Sequence, residues 1–253
     1  MVGSGFAATE RCGAETAHSW ETGRRRPCVH GSMENNTAPG WGAIDAALLR
    51  IYPQTEPLHM GTEHPWRLGG PHPLDGISFY PRTDPVPHWH VVGYGMTELY
   101  DKETDNSEES GWGFEFTFRA VRRGGDEEPP MWAAVLLQKL GRYVFDSGNR
   151  FEPGHTMKVG GPIDGSDNGS VIRALAFAED PELGQIATPH GRVRFLQVIG
   201  LSLDEYEAAL GGRAHVLLRV LGSRIPLGTT DMRRRSLLED PKIAASLAQA
   251  MQH

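Results

Sequence analysis

The sequence predicts an α+β fold, a central mixed or antiparallel β-sheet flanked by helices, on three observations. Residues 88–119 read HWHVVGYGMTELY, then a polar connection, then GWGFEFTFR, in which Phe114, Phe116 and Phe118 alternate with Glu115, Thr117 and Arg119. Side chains two apart on a strand share a face, so the phenylalanines are expected to enter a core while the charged and polar set stays in solvent. Secondly, 131–145 carries apolar residues at helical spacing, with Trp132, Val135, Leu136, Leu140 and Val144 recurring at three and four. Thirdly, strand-like segments and helix-like segments come in separate runs, without the strict strand–helix alternation of a doubly wound sheet.

The elements follow in chain order. Residues 1–38 are rich in Gly, Ser, Thr and Arg with no sustained period, and a segment that buries so little apolar surface is expected to be disordered. Residues 39–253 read as one domain closed by a short C-terminal helix. Within it, AIDAALLRIYP places Ile44, Ala47, Leu48 and Ile51 on one helical face, and Pro53 stops the helix. The Gly-Gly-Pro at 69–71 forces a turn, after which GISFY reads as a strand. The two strands of 88–119 form the expected centre of the sheet, joined by the apolar-free loop 101–111. A flexible connection at 122–130 leads to the 131–145 helix, with Pro130 in its first turn. HTMKVG is a short strand candidate; VIRALAFAED and GRVRFLQVIGLS are longer ones. LSLDEYEAALG is a helix, AHVLLRVLG fits either type, and a last helix begins near Asp240-Pro241.

Composition narrows the function classes. The 253 residues carry a net charge of −7, and the pI is about 5.9, so the basic footprint of a nucleic-acid binder is absent. No apolar run approaches a membrane span, and Met1–Glu10 lacks the apolar stretch of a secretory signal. The two cysteines, Cys12 and Cys28, both precede residue 40, which fits a reducing, cytoplasmic setting and leaves the body of the chain without a cysteine nucleophile or CxxC motif.

Catalytic signals are sparse. His88 and His90 share a strand face and could hold a metal, yet zinc needs three or four converging ligands and no other ligand-like spacing accompanies them. Packing beside Trp89 is the favoured reading, and no cofactor or metal is expected. Gly93-Tyr94-Gly95 and Gly111-Trp112-Gly113 lack the third glycine and following helix of a dinucleotide site, so they mark bends. Tyr143, at the end of a helix beside a polar loop, is either an interface residue or a core tyrosine with a satisfied hydroxyl. Glu179-Asp180-Pro181 has the composition of a turn.

Taken together, RLGGPHPLDGISFY, PHWHVVGYGMTELY, GFEFTFR, PPMWAAVLLQKLGRYVF, FAEDPEL, TPHGRVRFLQVIGLS and TTDMRR resemble, in order, the N-terminal domain of the Suppressor of fused family. The resemblance implies an α+β, non-enzymatic protein-binding module. In the animal protein this domain works with a C-terminal one to clamp an extended Gli peptide by strand addition. This sequence stops soon after TTDMRR, so that second domain is not expected and the Hedgehog role is not carried over. By the same resemblance, Tyr143 falls on the family's helix-end tyrosine at the peptide site and Glu179-Asp180 on an acidic pair there. His155 falls where the family has a further acidic contact, which implies a different partner. Bacterial single-domain members resemble immunity proteins that neutralise toxins, so the expected partner is a protein or extended peptide, a toxin among the candidates. A scaffold or regulator with an unrelated partner is the alternative; a metal-dependent enzyme using His88 and His90 is the weakest reading.

Overall fold

The computed structural model describes residues 37–252. The expectation of disorder for 1–38 therefore lies, for residues 1–36, outside the described residues. Helix α1 (Pro39–Ile51) precedes strands β1 (Leu58–Gly61), β2 (Gly76–Arg82), β3 (His88–Tyr94) and β4 (Glu109–Val121). Helix α2 (Met131–Ser147) follows, then β5 (Thr156–Lys158), β6 (Ile172–Glu179), β7 (Gln185–Thr188) and β8 (Gly191–Ser202). Helices α3 (Leu203–Ala209), α4 (Ala214–Leu221) and α5 (Pro241–Ala250) end the chain. The strands form one sheet of order β1-β2-β3-β4-β8-β6-β5, with β7 paired on β8. All pairs are antiparallel except β4 with β8, so the sheet is mixed and β4 lies at its centre.

The period of β4 explains the layers. Phe114, Phe116 and Phe118 point to one face, where they meet Leu136, Leu137, Leu140 and Val144 of α2 together with Phe151 and Phe177. On the opposite face, α1 covers β2, β3 and β8 through Ile44, Ala47 and Leu48. Helices α3 to α5 cover the β6–β8 side of that same face, packing Leu217, Leu221, Ile243 and Leu247 on Ala174, Ala176, Ile199 and Leu201. The result is helix, sheet, helices, with the sheet buried on both sides.

That arrangement overturns one expectation. Glu115, Thr117 and Arg119 are fully buried, each at 0% exposure, instead of facing solvent. Strand alternation separates two faces but does not say whether the polar one is covered, and here α1 and α3–α5 cover it. AHVLLRVLG, left open by its pattern, is helix α4. Local chemistry sets the helix ends: Ser202 and Glu205 form a reciprocal capping box on α3, and Asp240 accepts from Lys242 N at the start of α5. Helix α2 begins just after Pro130, which serves as its N-cap residue. Gly111 adopts φ +52 where a Cβ would meet the Met96 carbonyl at 2.8 Å, so the bend read from G-x-G requires glycine.

Candidate functional site

One end of the sheet gathers three of the four residues singled out from sequence. Phe151, on the loop after α2, stacks on Phe177 of β6 with ring centroids 4.1 Å apart, and the Tyr143 ring packs 5.5 Å from Phe151. Phe177 N donates to the His155 carbonyl and Gly154 N donates to the Phe177 carbonyl, so the backbone draws His155 against β6. Glu179 follows on the same strand, on the side chain of which Arg194 Nε lies 3.6 Å away and Gln185 Nε2 donates at 3.2 Å. Arg194 also donates to Glu152 at 2.7 Å, linking β8 to the 150s loop. Tyr143 is 41% exposed and its hydroxyl accepts from Asn149 Nδ2. His155 Nδ1 accepts from Glu152 N, which leaves its Nε2–H for a partner. The patch thus offers a half-exposed ring, an imidazole N–H and a carboxylate.

Next to it runs β5, the end strand of the sheet. Val159 N bonds to the Arg173 carbonyl and Phe177 N to the His155 carbonyl, so alternate residues of the segment face β6. Thr156 and Lys158, between them, direct their backbone N–H and C=O groups away from β6. Among the described residues no strand pairs with that outer edge.

Asp180 belongs to a different environment, at 1% exposure on the covered face. Its carboxylate accepts from Arg119 at 2.6 and 3.1 Å, from Thr117 Oγ1 at 2.9 Å, and from Glu182 N and Leu183 N at 2.9 and 3.0 Å. His90 Nε2 stands 3.3 Å away, and the Tyr52 hydroxyl donates to His90 Nδ1 at 2.8 Å. Arg119 further donates to Gln197 at 2.7 Å and to Glu182 at 3.0 Å, and Arg82 Nη1 donates to both carboxylate oxygens of Glu182. Burial by itself would raise the Asp180 carboxyl; His90 and Arg119 outweigh it and hold the group far below the usual carboxylate range. Burial, with Arg119 beside it, pushes His90 down to about 4, so the ring is neutral at pH 7. Asp180 is therefore a buried hub that shapes the turn carrying Glu179.

His88 and His90 are both buried, and His88 Nδ1 donates to the Val86 carbonyl. Among the described residues no group of three or more His, Cys, Asp or Glu side chains converges as a metal ion would require. Nor is any described helix long and apolar enough to cross a membrane. Sequence reasoning missed Phe151, Glu152 and Arg194, which assemble the patch. Only Arg194 left a signal, as the outward charge in the alternation of GRVRF.

The sequence and the fold have clear relatives. A model of the Suppressor of fused protein family matches residues 70–235. The human and mouse Suppressor of fused homologs are each 37% identical over 211 residues, covering 77% of this chain and 43% of theirs. This chain thus spans less than half the length of those relatives. The crystal structure of Drosophila Suppressor of Fused superposes with a TM-score of 0.80 at 32% identity, over 87% of this chain and 56% of that one. A structure described as the Sufu–Fu complex superposes at 0.78 and 33% identity, over 83% of this chain and 98% of that chain. With so much of its length matched in sequence and fold, this chain belongs to the Suppressor of fused family.

Proposed function

We propose that this chain is a non-enzymatic protein-binding module that takes an extended segment of its partner along the outer edge of β5, read by Tyr143, His155 and Glu179. The observation that carries this is the juxtaposition of a sheet edge with outward backbone groups and a patch of ring, imidazole and carboxylate at its end. Main-chain pairing at an edge supplies affinity, and the neighbouring side chains supply selectivity. The description of one solved relative as a complex with Fu supports protein binding as the family's mode of action. Asp180 acts from beneath, holding the turn that presents Glu179.

The finer reading, an immunity protein that neutralises a bacterial toxin in the cytoplasm, draws support from the net charge of −7, which would speed encounter with a basic partner. Affinity capture with the whole chain tests both levels. A protein retained by the wild type and lost by a folded Tyr143→Ala/Glu179→Ala variant is the expected result. Equal retention by both would move the site elsewhere, and a captured partner with no toxic activity would remove the immunity reading alone.

A further inference from the structure

The register of β5 gives the proposed docking edge a charge on one face and an apolar surface on the other. Thr156 lies opposite Ala176, Met157 opposite Leu175 and Lys158 opposite Ala174. Leu175 belongs to the cluster under α2, where Met157 and Val159 also pack, so these two side chains take that face. Ala174 and Ala176 belong to the cluster under α3–α5, so Thr156 and Lys158 take the other. Lys158 is exposed and forms no ion pair among the described residues. Helix α3 packs beside β5, but none of its acids answers that charge. Both Glu205 oxygens accept from Arg234, Asp204 accepts from Ser202 and Ser236, and exposed Glu207 forms no ion pair among the described residues.

The backbone ties an incoming strand to this pattern. Thr156 and Lys158 are the residues whose N–H and C=O groups point outward, so a strand added there bonds to those two. One of its own residues then stands directly opposite Lys158, on the same face, with the Cβ atoms about 4.5–5.5 Å apart. A lysine on a sheet edge deters strands that leave its charge unanswered. A strand with a carboxylate at that place meets no such penalty, so the lysine selects among partners as well as guarding the edge. A second copy of the chain is disfavoured, because two-fold pairing about Met157 or Lys158 sets the two lysines diagonal or directly opposite on one face.

We propose that the partner segment carries an acidic residue opposite Lys158, flanked by apolar residues against Met157 and Val159. This rests on the reading of β5 as the docking edge and adds the sign of charge that the edge accepts. The net charge of −7 acts on encounter at long range, whereas the register decides which charge is met in contact.

The test is fluorescence anisotropy with two labelled peptides of alternating valine and threonine, titrated with the full chain at near-physiological salt. One peptide has glutamate in place of its central threonine and the other has lysine. The ratio of their affinities, compared between wild type and Lys158→Glu, cancels the general attraction of a negatively charged chain for cations. In Lys158→Glu that ratio should shift about tenfold towards the lysine peptide. In Lys139→Glu, which reverses an exposed lysine on α2, it should shift by less than about twofold. Thr156→Pro keeps Lys158 and removes one outward N–H at an edge position that tolerates proline, so it should weaken both peptides alike, with the melting temperature followed in parallel. An unchanged ratio in Lys158→Glu, with both peptides bound and both weakened by Thr156→Pro, would overturn the acidic selection and leave the docking edge standing. No saturable binding of either peptide, or binding untouched by Thr156→Pro, would overturn the docking edge and the selection with it. A dimer in sedimentation that dissociates in Thr156→Pro would give the edge to a second copy and overturn the proposal.

Discussion

Strand β4 shows the same chain segment solving two burial problems side by side. On one face Phe114, Phe116 and Phe118 meet α2, and any shape-compatible apolar side chain nearby adds to that contact. On the other, Glu115, Thr117 and Arg119 are just as dry, and there a buried charge needs particular partners. Glu115 is matched by Gly95, Met96 and Thr97, whose backbone N–H groups and the Thr97 hydroxyl close around its carboxylate. Arg119 is matched at its two terminal nitrogens by Asp180, Gln197 and Glu182, while its Nε finds no acceptor among the described residues. The polar set lies between the apolar cluster under α1 and the one under α3–α5, so it joins two separately packed regions. The apolar face tolerates approximation, whereas the polar face specifies one arrangement.

The largest effects come from breaking each face at its centre. Phe116→Ala removes a ring in contact with Phe114, Phe151 and Phe177 and should cost about 3–5 kcal/mol. Arg119→Met should cost about 3–5 kcal/mol as well, since it strands the Asp180 carboxylate with no guanidinium. Chemical denaturation measures both losses, and partial repair separates the faces. Phe116→Leu should recover a good share of stability by refilling volume. Arg119→Lys should recover little, because a point charge cannot reach Asp180, Gln197 and Glu182 at once. If lysine rescued as well as leucine, the polar face would be no more specific than the apolar one.

A smaller effect distinguishes two buried groups of the polar face by their protons. Burial pushes Glu115 up from 4.5 to about 7 against the hydrogen bonds of Thr97, Gly95 and Met96. Between those values the folded protein holds a proton that the unfolded chain has released, so Glu115 makes stability fall as pH rises. His90 works in the opposite sense. Its fall from 6.5 to about 4 means that the unfolded chain gains a proton the folded state does not, and stability drops as pH falls through that window. Glu115→Gln has no proton to release. It should therefore gain stability relative to wild type as pH rises from 4.5 towards 7, by at most about 1.4 kcal/mol per pH unit. Denaturation midpoints for the two proteins across that range would show it, and a pH-independent difference would mean that Glu115 stays ionised throughout.

The sequence carried most of the fold because its strands and helices have strong periods. The stretch 88–119 disclosed β3, β4 and the division of faces; 131–145 disclosed α2; Asp240-Pro241 disclosed the start of α5. The four-residue strands β1 and β7 escaped because neither LHMG nor QIAT holds enough residues to set a period. The wetness assigned to Glu115 and Arg119 failed for another reason. Period 2 describes how a strand divides its side chains, while the cover on the second face comes from α1, some 70 residues away in the chain from Arg119 and close only after folding. At the patch, Tyr143, His155 and Glu179 could be named singly, but Phe151, which brings them together, sits in a loop without pattern.

The smallest effect belongs to the residue next to the hub. Glu179 and Asp180 are adjacent acids that look alike in sequence, but a strand sends neighbours to opposite sides. Asp180 turns inward to Arg119 and His90, while Glu179 faces out with its side chain 48% exposed. Its contacts, Arg194 at 3.6 Å and Gln185 at 3.2 Å, are those of a solvated surface group. Exposed pairs of this kind contribute little because water and salt screen the attraction and two long side chains lose freedom in forming it. Glu179→Gln should therefore change unfolding free energy by less than about 0.5 kcal/mol, near the limit of a denaturant titration. A larger loss would place Glu179 inside the polar network and make the acidic pair a single structural unit. A negligible one leaves Glu179 available to a partner while Asp180 holds the backbone that presents it.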